Sequence, residues 1–172
     1  MPCYRSDMEG DRKEPMAIQW SANAEEIGSR LRAQGWVDGA ELSARSLLSL
    51  ASPKVSAMAL PVLPELNNGV PSLLVFTHPG GTRDERDVLR FWPTDYAIKE
   101  QGAASATPVW LGSLVHERLY RASWPINMLS AVDPATAPLA VHDQLPALPG
   151  VALLATKDCH GVPVALLTSR SD

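Results

Sequence analysis

Cysteine is scarce in this 172-residue chain: Cys3 and Cys159 are the only two, one near each end. Two cysteines cannot form a disulfide framework, and these make no CxxC pair of the kind used in zinc or redox sites. They read better as free thiols, with a single bridge between them open if the domain sits outside the cytoplasm. Clustered positive charge is also lacking. Fifteen Lys and Arg are scattered among nineteen Asp and Glu, for a net charge of −4, and phosphate-driven binding to nucleic acid needs a basic patch. Nucleic acid is therefore excluded as a partner. No apolar run reaches the roughly 18–20 residues of a membrane-spanning helix; the best stretch, 57–76, is broken by Pro61, Pro64, Glu65, Asn67, Asn68 and Pro71. Arg5, Asp7, Glu9, Asp11, Arg12, Lys13 and Glu14 deny the first sixteen residues the apolar centre of a signal peptide. The chain reads as soluble, without a transmembrane segment and cytoplasmic by default.

The length suits one domain with its own core, and 45% hydrophobic with 20% charged residues is a globular balance. Residues 1–15 are charged and aperiodic and read as a flexible tail, leaving 16–172 as the domain. Fifteen prolines predict short or broken elements.

Ala17-Ile18-Gln19-Trp20 reads as a short strand. A first helix is expected over about 24–34, with Asn23 and Glu26 as a capping-box variant, Ala24, Ile27, Gly28 and Leu31 on one face, and Gly35 closing it. Ala44, Leu47, Leu48 and Ala51 predict a second helix over about 41–51, ended by Ser52-Pro53. The segment 55–71 is expected to lie extended and irregular on the core. Strands follow at 72–77 and 88–92, joined by a hairpin loop that includes His78, Gly80, Gly81 and Arg86, then at 109–117, with a further strand candidate at 124–129. The end reads as a β-hairpin, 151–156 with 162–168. Alternation puts Leu89 and Phe91 on one face, and Val88, Arg90 and Trp92 on the other; Trp110, Gly112, Leu114 and His116 share a face in the next strand. The fold class expected is α+β: a mainly antiparallel sheet, two N-terminal helices packed on one face, and a closing C-terminal β-hairpin.

Few side chains promise chemistry. The glycines after His78 read as a hairpin loop needing positive φ and not as an anion cradle, since neither a P-loop lysine nor a helix follows. His116-Glu117 begins like a zinc-protease motif, but Tyr120 stands where the second histidine belongs. Cys159-His160 reads as an exposed turn, His142-Asp143 lacks a third partner, and Ser113 has no nucleophile elbow. Arg90 is the residue of interest: a cation among Leu89, Phe91 and Trp92 must reach a carboxylate, an aromatic face or a ligand. A structural partner is the commoner use of such an arginine.

Leu73-Leu74-Val75-Phe76, Gly81, Arg90-Phe91-Trp92 and Val109-Trp110-Leu111-Gly112-Ser113 together resemble the LssY C-terminal domain family. Trp20 with the first helix and Gly35-Trp36, the Val132-Asp133-Pro134 step and the final hairpin extend the resemblance over about 16–168. It implies a bacterial domain often appended to membrane proteins with DedA-type or phosphatidic-acid-phosphatase-type modules. Neither module, nor the motif set of lipid-phosphatase chemistry, is in this chain. The resemblance also implies paired histidines before the Arg-Phe-Trp and Asp-Pro steps. Here those places hold Asp87-Val88 and Ser130-Ala131, which implies that any metal or phosphate capacity resting on those histidines is lost.

The reading is then a non-catalytic accessory domain, with no cofactor and no metal. Its partner would be a membrane protein or an anionic ligand, and its candidate ligand-binding residues are Arg90, Trp92, Asp133 and His116. The alternatives are a hydrolase with a composite site of Arg90, Asp133 and His116 or His142, or the truncated remnant of a larger membrane protein.

Overall fold

A computed structural model describes residues 1–49, 52, 54–99, 102, 104–121, 127–131, 145 and 147–169. In chain order its elements are β1 (Tyr4–Ser6), β2 (Arg12–Pro15), β3 (Ile18–Ser21), α1 (Ala24–Ala33), β4 (Val37–Asp38) and α2 (Ala44–Ser49). A 3-10 turn (Ala57–Ala59), β5 (Leu66–Asn67), β6 (Val70–Pro71), β7 (Leu74–Pro79) and β8 (Glu85–Ile98) come next. The chain continues through β9 (Thr107–Arg121), β10 (Asn127–Ala131), β11 (Val151–Cys159) and β12 (Val162–Ser169).

One sheet organises them, in the order β11-β12-β3-β9-β8-β7-β4, with β10 continuing the edge of β9 beyond β3. All of its pairs are antiparallel except β12 with β3, so the sheet is mixed. The centre is the long hairpin of β8 and β9, paired from Glu85↔Arg118 to Ile98↔Thr107. Pro93, which has no N–H to give to a ladder, lies beyond the last β7 partner of β8 and marks a shift in register.

The expected alternation of faces holds. On the first face Trp20, Phe76, Leu89, Phe91, Trp110, Leu114 and Leu167 form the main core with Ile27 and Leu31 of α1. The Phe91 ring meets Trp20 edge-on at 5.9 Å between centroids. It packs against Gly112, where an added Cβ would fall 2.7 Å from Phe91 Cε1. On the second face sit Arg86, Val88, Arg90 and Trp92 from β8 with Leu111, Val115 and Glu117 from β9, all buried. Among the described residues this face is covered by the β1–β2 hairpin and the chain from Val55 to Asn67.

Five expectations are corrected. Among the described residues the structure is mostly β, with α1 as the one helix on the sheet. The second helix begins later than expected, at Ala44, and is described as α2 to Ser49, residues 50 and 51 lying outside the described residues; Leu48, expected on the core face, is 75% exposed. Residues 1–15 are not a tail but include the β1–β2 hairpin, tied down because Arg5 is buried against Glu14 and Glu65 at 2.6 and 3.0 Å. Cys3 and Cys159 are not free: they form a disulfide, Cα atoms 5.6 Å apart, joining that hairpin to the end of β11. Finally, Gly80 and Gly81 are absent from the positive-φ glycines; Gly80 is required because a Cβ would press to 2.6–2.9 Å on Glu85.

Smaller expectations hold. Gly35 closes α1 at φ +86, although the Asn23 side chain makes no cap bond. The final hairpin turns through His160 and Gly161, both at positive φ, as a two-residue primed turn demands. Residues 122–126, Asp133 and His142 lie outside the described residues.

Candidate functional site

The second face of the β8–β9 hairpin floors a groove of about 560 Å³. Its walls are apolar at Leu60, Leu63, Met128 and Leu129, and charged at Arg5, Lys13, Glu14 and Glu65. Strand alternation places Arg86, Arg90 and Glu117 in the floor. Arg86 stands directly opposite Glu117 across the two strands, and Arg90 opposite Ser113, so Arg90 must lean along the sheet to share the same carboxylate.

The two arginines are engaged differently. Arg86 donates to Glu117 Oε2 through Nε and approaches it through a terminal nitrogen, both at 2.8 Å. Its remaining donors reach the carbonyls of Ala57, Leu60 and Pro61 at 3.0, 2.6 and 3.3 Å. Arg86 is thus the staple that holds the 3-10 turn and the groove wall to the sheet. Burial pushes its guanidinium below the ordinary arginine value, against the opposing pull of Glu117, and nearby Arg90 pushes the same way. Among the described residues the Arg90 side chain makes one long bond, to Glu117 Oε1 at 3.3 Å. It is 4% exposed, and its buried Nε has no partner among the described residues. Two buried cations therefore share one carboxylate, which leaves a positive charge and a free donor in the floor of an apolar-walled groove. Such a site favours an anion with apolar substance attached.

Of the described residues among those the sequence singled out, Arg90 lines this groove and Trp92 and His116 do not; Asp133 and His142 lie outside the described residues. Trp92 shares its face but is sealed in a cluster with Met16 and Leu111, and its indole donates to the Glu65 carbonyl at 3.2 Å. It supports the wall whose carboxylate, Glu65, faces the groove. His116 follows the opposite strand parity and lies on the other face, where Asp87 Oδ1 accepts from its Nδ1 at 2.8 Å. On a strand His116 and Glu117 point apart, which disposes of a helical zinc-protease motif. Arg86 and Glu117 were missed as a pair: Arg86 was assigned to the hairpin loop, although the spacing Arg86, Val88, Arg90, Trp92 already continues one strand face.

The sheet, its single packed helix and the buried arginine pair define a mostly β domain with a charged, apolar-walled groove. Residues 1–130 match the family model described as LssY C-terminus, and the chain belongs to that family. The match runs from the β1–β2 hairpin into β10 and stops short of the closing hairpin. No curated protein and no solved structure matches the chain. Among the described residues, no helix is long and apolar enough to cross a membrane.

Proposed function

We propose that the domain acts by binding, as a non-catalytic accessory module, and that its ligand is an amphiphile with a compact anionic head, a carboxylate or a phosphate. The observation that carries this reading is Arg90, nine-tenths buried, with an unpartnered Nε and only half a carboxylate to itself. A head group at Arg90 would complete both its charge balance and its hydrogen bonding, and the chain would lie along Leu60, Leu63 and Met128. An origin of such ligands in membranes fits the accessory role beside membrane proteins that the resemblance implies. Arg90 and His116 lie on opposite faces of the sheet, so they do not meet in one cleft, and the binding reading is preferred to a hydrolase built on that pair.

The experiment is thermal melting with submicellar dodecyl phosphate, dodecanoate, dodecyl maltoside and dodecyltrimethylammonium. Saturation at a hundredfold over Kd adds about 2.7 kcal/mol, a rise of roughly 5–11 °C for a domain of this size. The two anions are expected to give it, and the neutral and cationic chains are not. Equal shifts from all four, or none from the anions, would end the proposal.

A further inference from the structure

The charges around the groove limit how much negative charge its ligand can carry. In the floor, Arg86 and Arg90 face the single carboxylate of Glu117, an excess of one positive charge. Arg86 has its donors taken up by Glu117 and three carbonyls, so the free donor of that excess is Arg90 Nε. The walls add no positive charge to it. Arg5 is held between two carboxylates, Glu14 at 2.6 Å and Glu65 at 3.0 Å. Lys13 is paired at 2.8 Å with Asp7, which does not line the groove. A ligand with two negative charges would meet one cation in the floor and an excess of carboxylate on the walls.

The packing around Arg90 limits the shape of the head. The next side chain of β8 on this face is Trp92, buried in a cluster with Met16 and Leu111. Ser113, the register partner of Arg90 on β9, is 0% exposed, and directly opposed residues of antiparallel strands project on the same side. Its Oγ has no partner among the described residues. A neutral polar atom therefore stands opposite Arg90 and adds hydrogen-bonding capacity without charge. An anion that reaches Arg90 from the groove finds polar atoms there and filled space beyond, with no exit for a second substituent.

Resting on the reading of the groove as a site for an anionic amphiphile, we propose that the head group is the carboxylate of a long-chain monocarboxylic acid. A phosphate monoester has a second pKa of about 6 and is mostly doubly charged above it. Its dianion would carry one charge more than the floor balances, in a place where an unpaired charge is costly. A phosphodiester has the right charge but extends a substituent on each side of the anion, and the inner side is filled by the Trp92 cluster. A carboxylate meets both limits: one charge, at the end of one chain, with two oxygens facing forward to accept from Arg90. Its chain lies along Leu60, Leu63 and Met128.

The test is calorimetric titration of the full chain, at about pH 6 and about pH 8, with submicellar dodecanoate, dodecyl phosphate and dodecyl methyl phosphate. Histidine is the side chain whose charge ordinarily changes over this interval, and none lines the groove among the described residues. The charge that changes is then the ligand's own: the singly charged fraction of dodecyl phosphate falls from about a half to about 1%. Dodecanoate, whose carboxyl has an ordinary pKa of about 4.3, is expected to bind at one site with affinities within about twofold of each other at the two pH values. Dodecyl phosphate should bind at the lower pH and lose at least about tenfold in affinity at the higher. Dodecyl methyl phosphate, singly charged at both, should bind at least about tenfold more weakly than dodecanoate. A dodecyl phosphate affinity that holds or rises with pH would overturn the limit to one charge, and a diester as tight as dodecanoate would overturn the choice of carboxylate. Either result would leave the groove an anion site. Binding by none of the three would instead overturn the binding reading of the groove, and the carboxylate assignment with it.

Discussion

Replacing Glu117 by glutamine removes the one carboxylate between Arg86 and Arg90 and leaves both cations buried on the same face of the sheet. Breaking a buried ion pair from one side costs about 3–5 kcal/mol, against a total stability of roughly 5–15 kcal/mol for a domain. Glu117→Gln should therefore lower the melting temperature by roughly 6–20 °C. Arg90→Met is a different perturbation. It removes a guanidinium whose Nε is already unpartnered and whose one bond is 3.3 Å long, and Glu117 keeps its two contacts to Arg86. The lost attraction and the relieved desolvation offset each other, so the change should stay within about 1 kcal/mol. In the double variant one cation remains in place of two, and stability should recover by about 1 kcal/mol or more relative to Glu117→Gln. Urea unfolding followed by tryptophan fluorescence measures all three. A cost for Arg90→Met equal to that of Glu117→Gln would make Arg90 a structural counter-ion and refute the asymmetry on which the groove reading depends.

Other perturbations probe the rest of the frame. The Cys3–Cys159 bridge spans 156 positions, and losing such a bridge costs about 2–5 kcal/mol; dithiothreitol should lower the wild-type melting temperature and leave Cys3→Ser/Cys159→Ser unmoved, whereas no effect on the wild type would return the cysteines to free thiols. Gly112→Ala would set a Cβ 2.7 Å from Phe91 Cε1 and 3.1 Å from Ile18 Cβ; overpacking of about 1–3 kcal/mol should appear in urea unfolding, and unchanged stability would contradict the Phe91 packing. The Arg118 guanidinium, with help from Thr82, holds the Glu85 carboxyl below its ordinary value. A folded value below the unfolded one stabilises above the unfolded pKa, about 4.3, and that contribution is lost as pH falls through the folded value. Glu85→Gln should accordingly flatten the acid side of a melting-temperature profile over pH 3–7, and parallel profiles would count against the pairing.

What could be read in the sequence follows from local pattern. Leu89 and Phe91 against Arg90 and Trp92 is a period of two, and it sorted the faces of β8 correctly; Ile27, Gly28 and Leu31 likewise announced α1. The contacts that were not legible are long-range. Arg86 looks like loop charge until β9 brings Glu117 opposite it, 31 positions later in the chain. Arg5 and Glu14 look like a solvated tail until Glu65 and the Leu66 carbonyl close around the guanidinium. Leu48 fits a helical stripe, yet it is 75% exposed, because periodicity marks a face of a helix without saying what that face meets. His78 and His116 belong to segments that sequence order separates, and only the register of three strands ranks them beside Asp87.

The most direct measurement of the central claim is calorimetric titration of submicellar dodecyl phosphate into the wild type and Arg90→Met. A charge-assisted hydrogen bond is worth about 1.5–3 kcal/mol, or roughly 10–100-fold in affinity. The expected result is one site in the wild type, binding at least tenfold weaker in Arg90→Met, and near-equal melting temperatures without ligand. Equal affinities in two equally stable proteins would contradict the assignment of the groove to an anion held by Arg90.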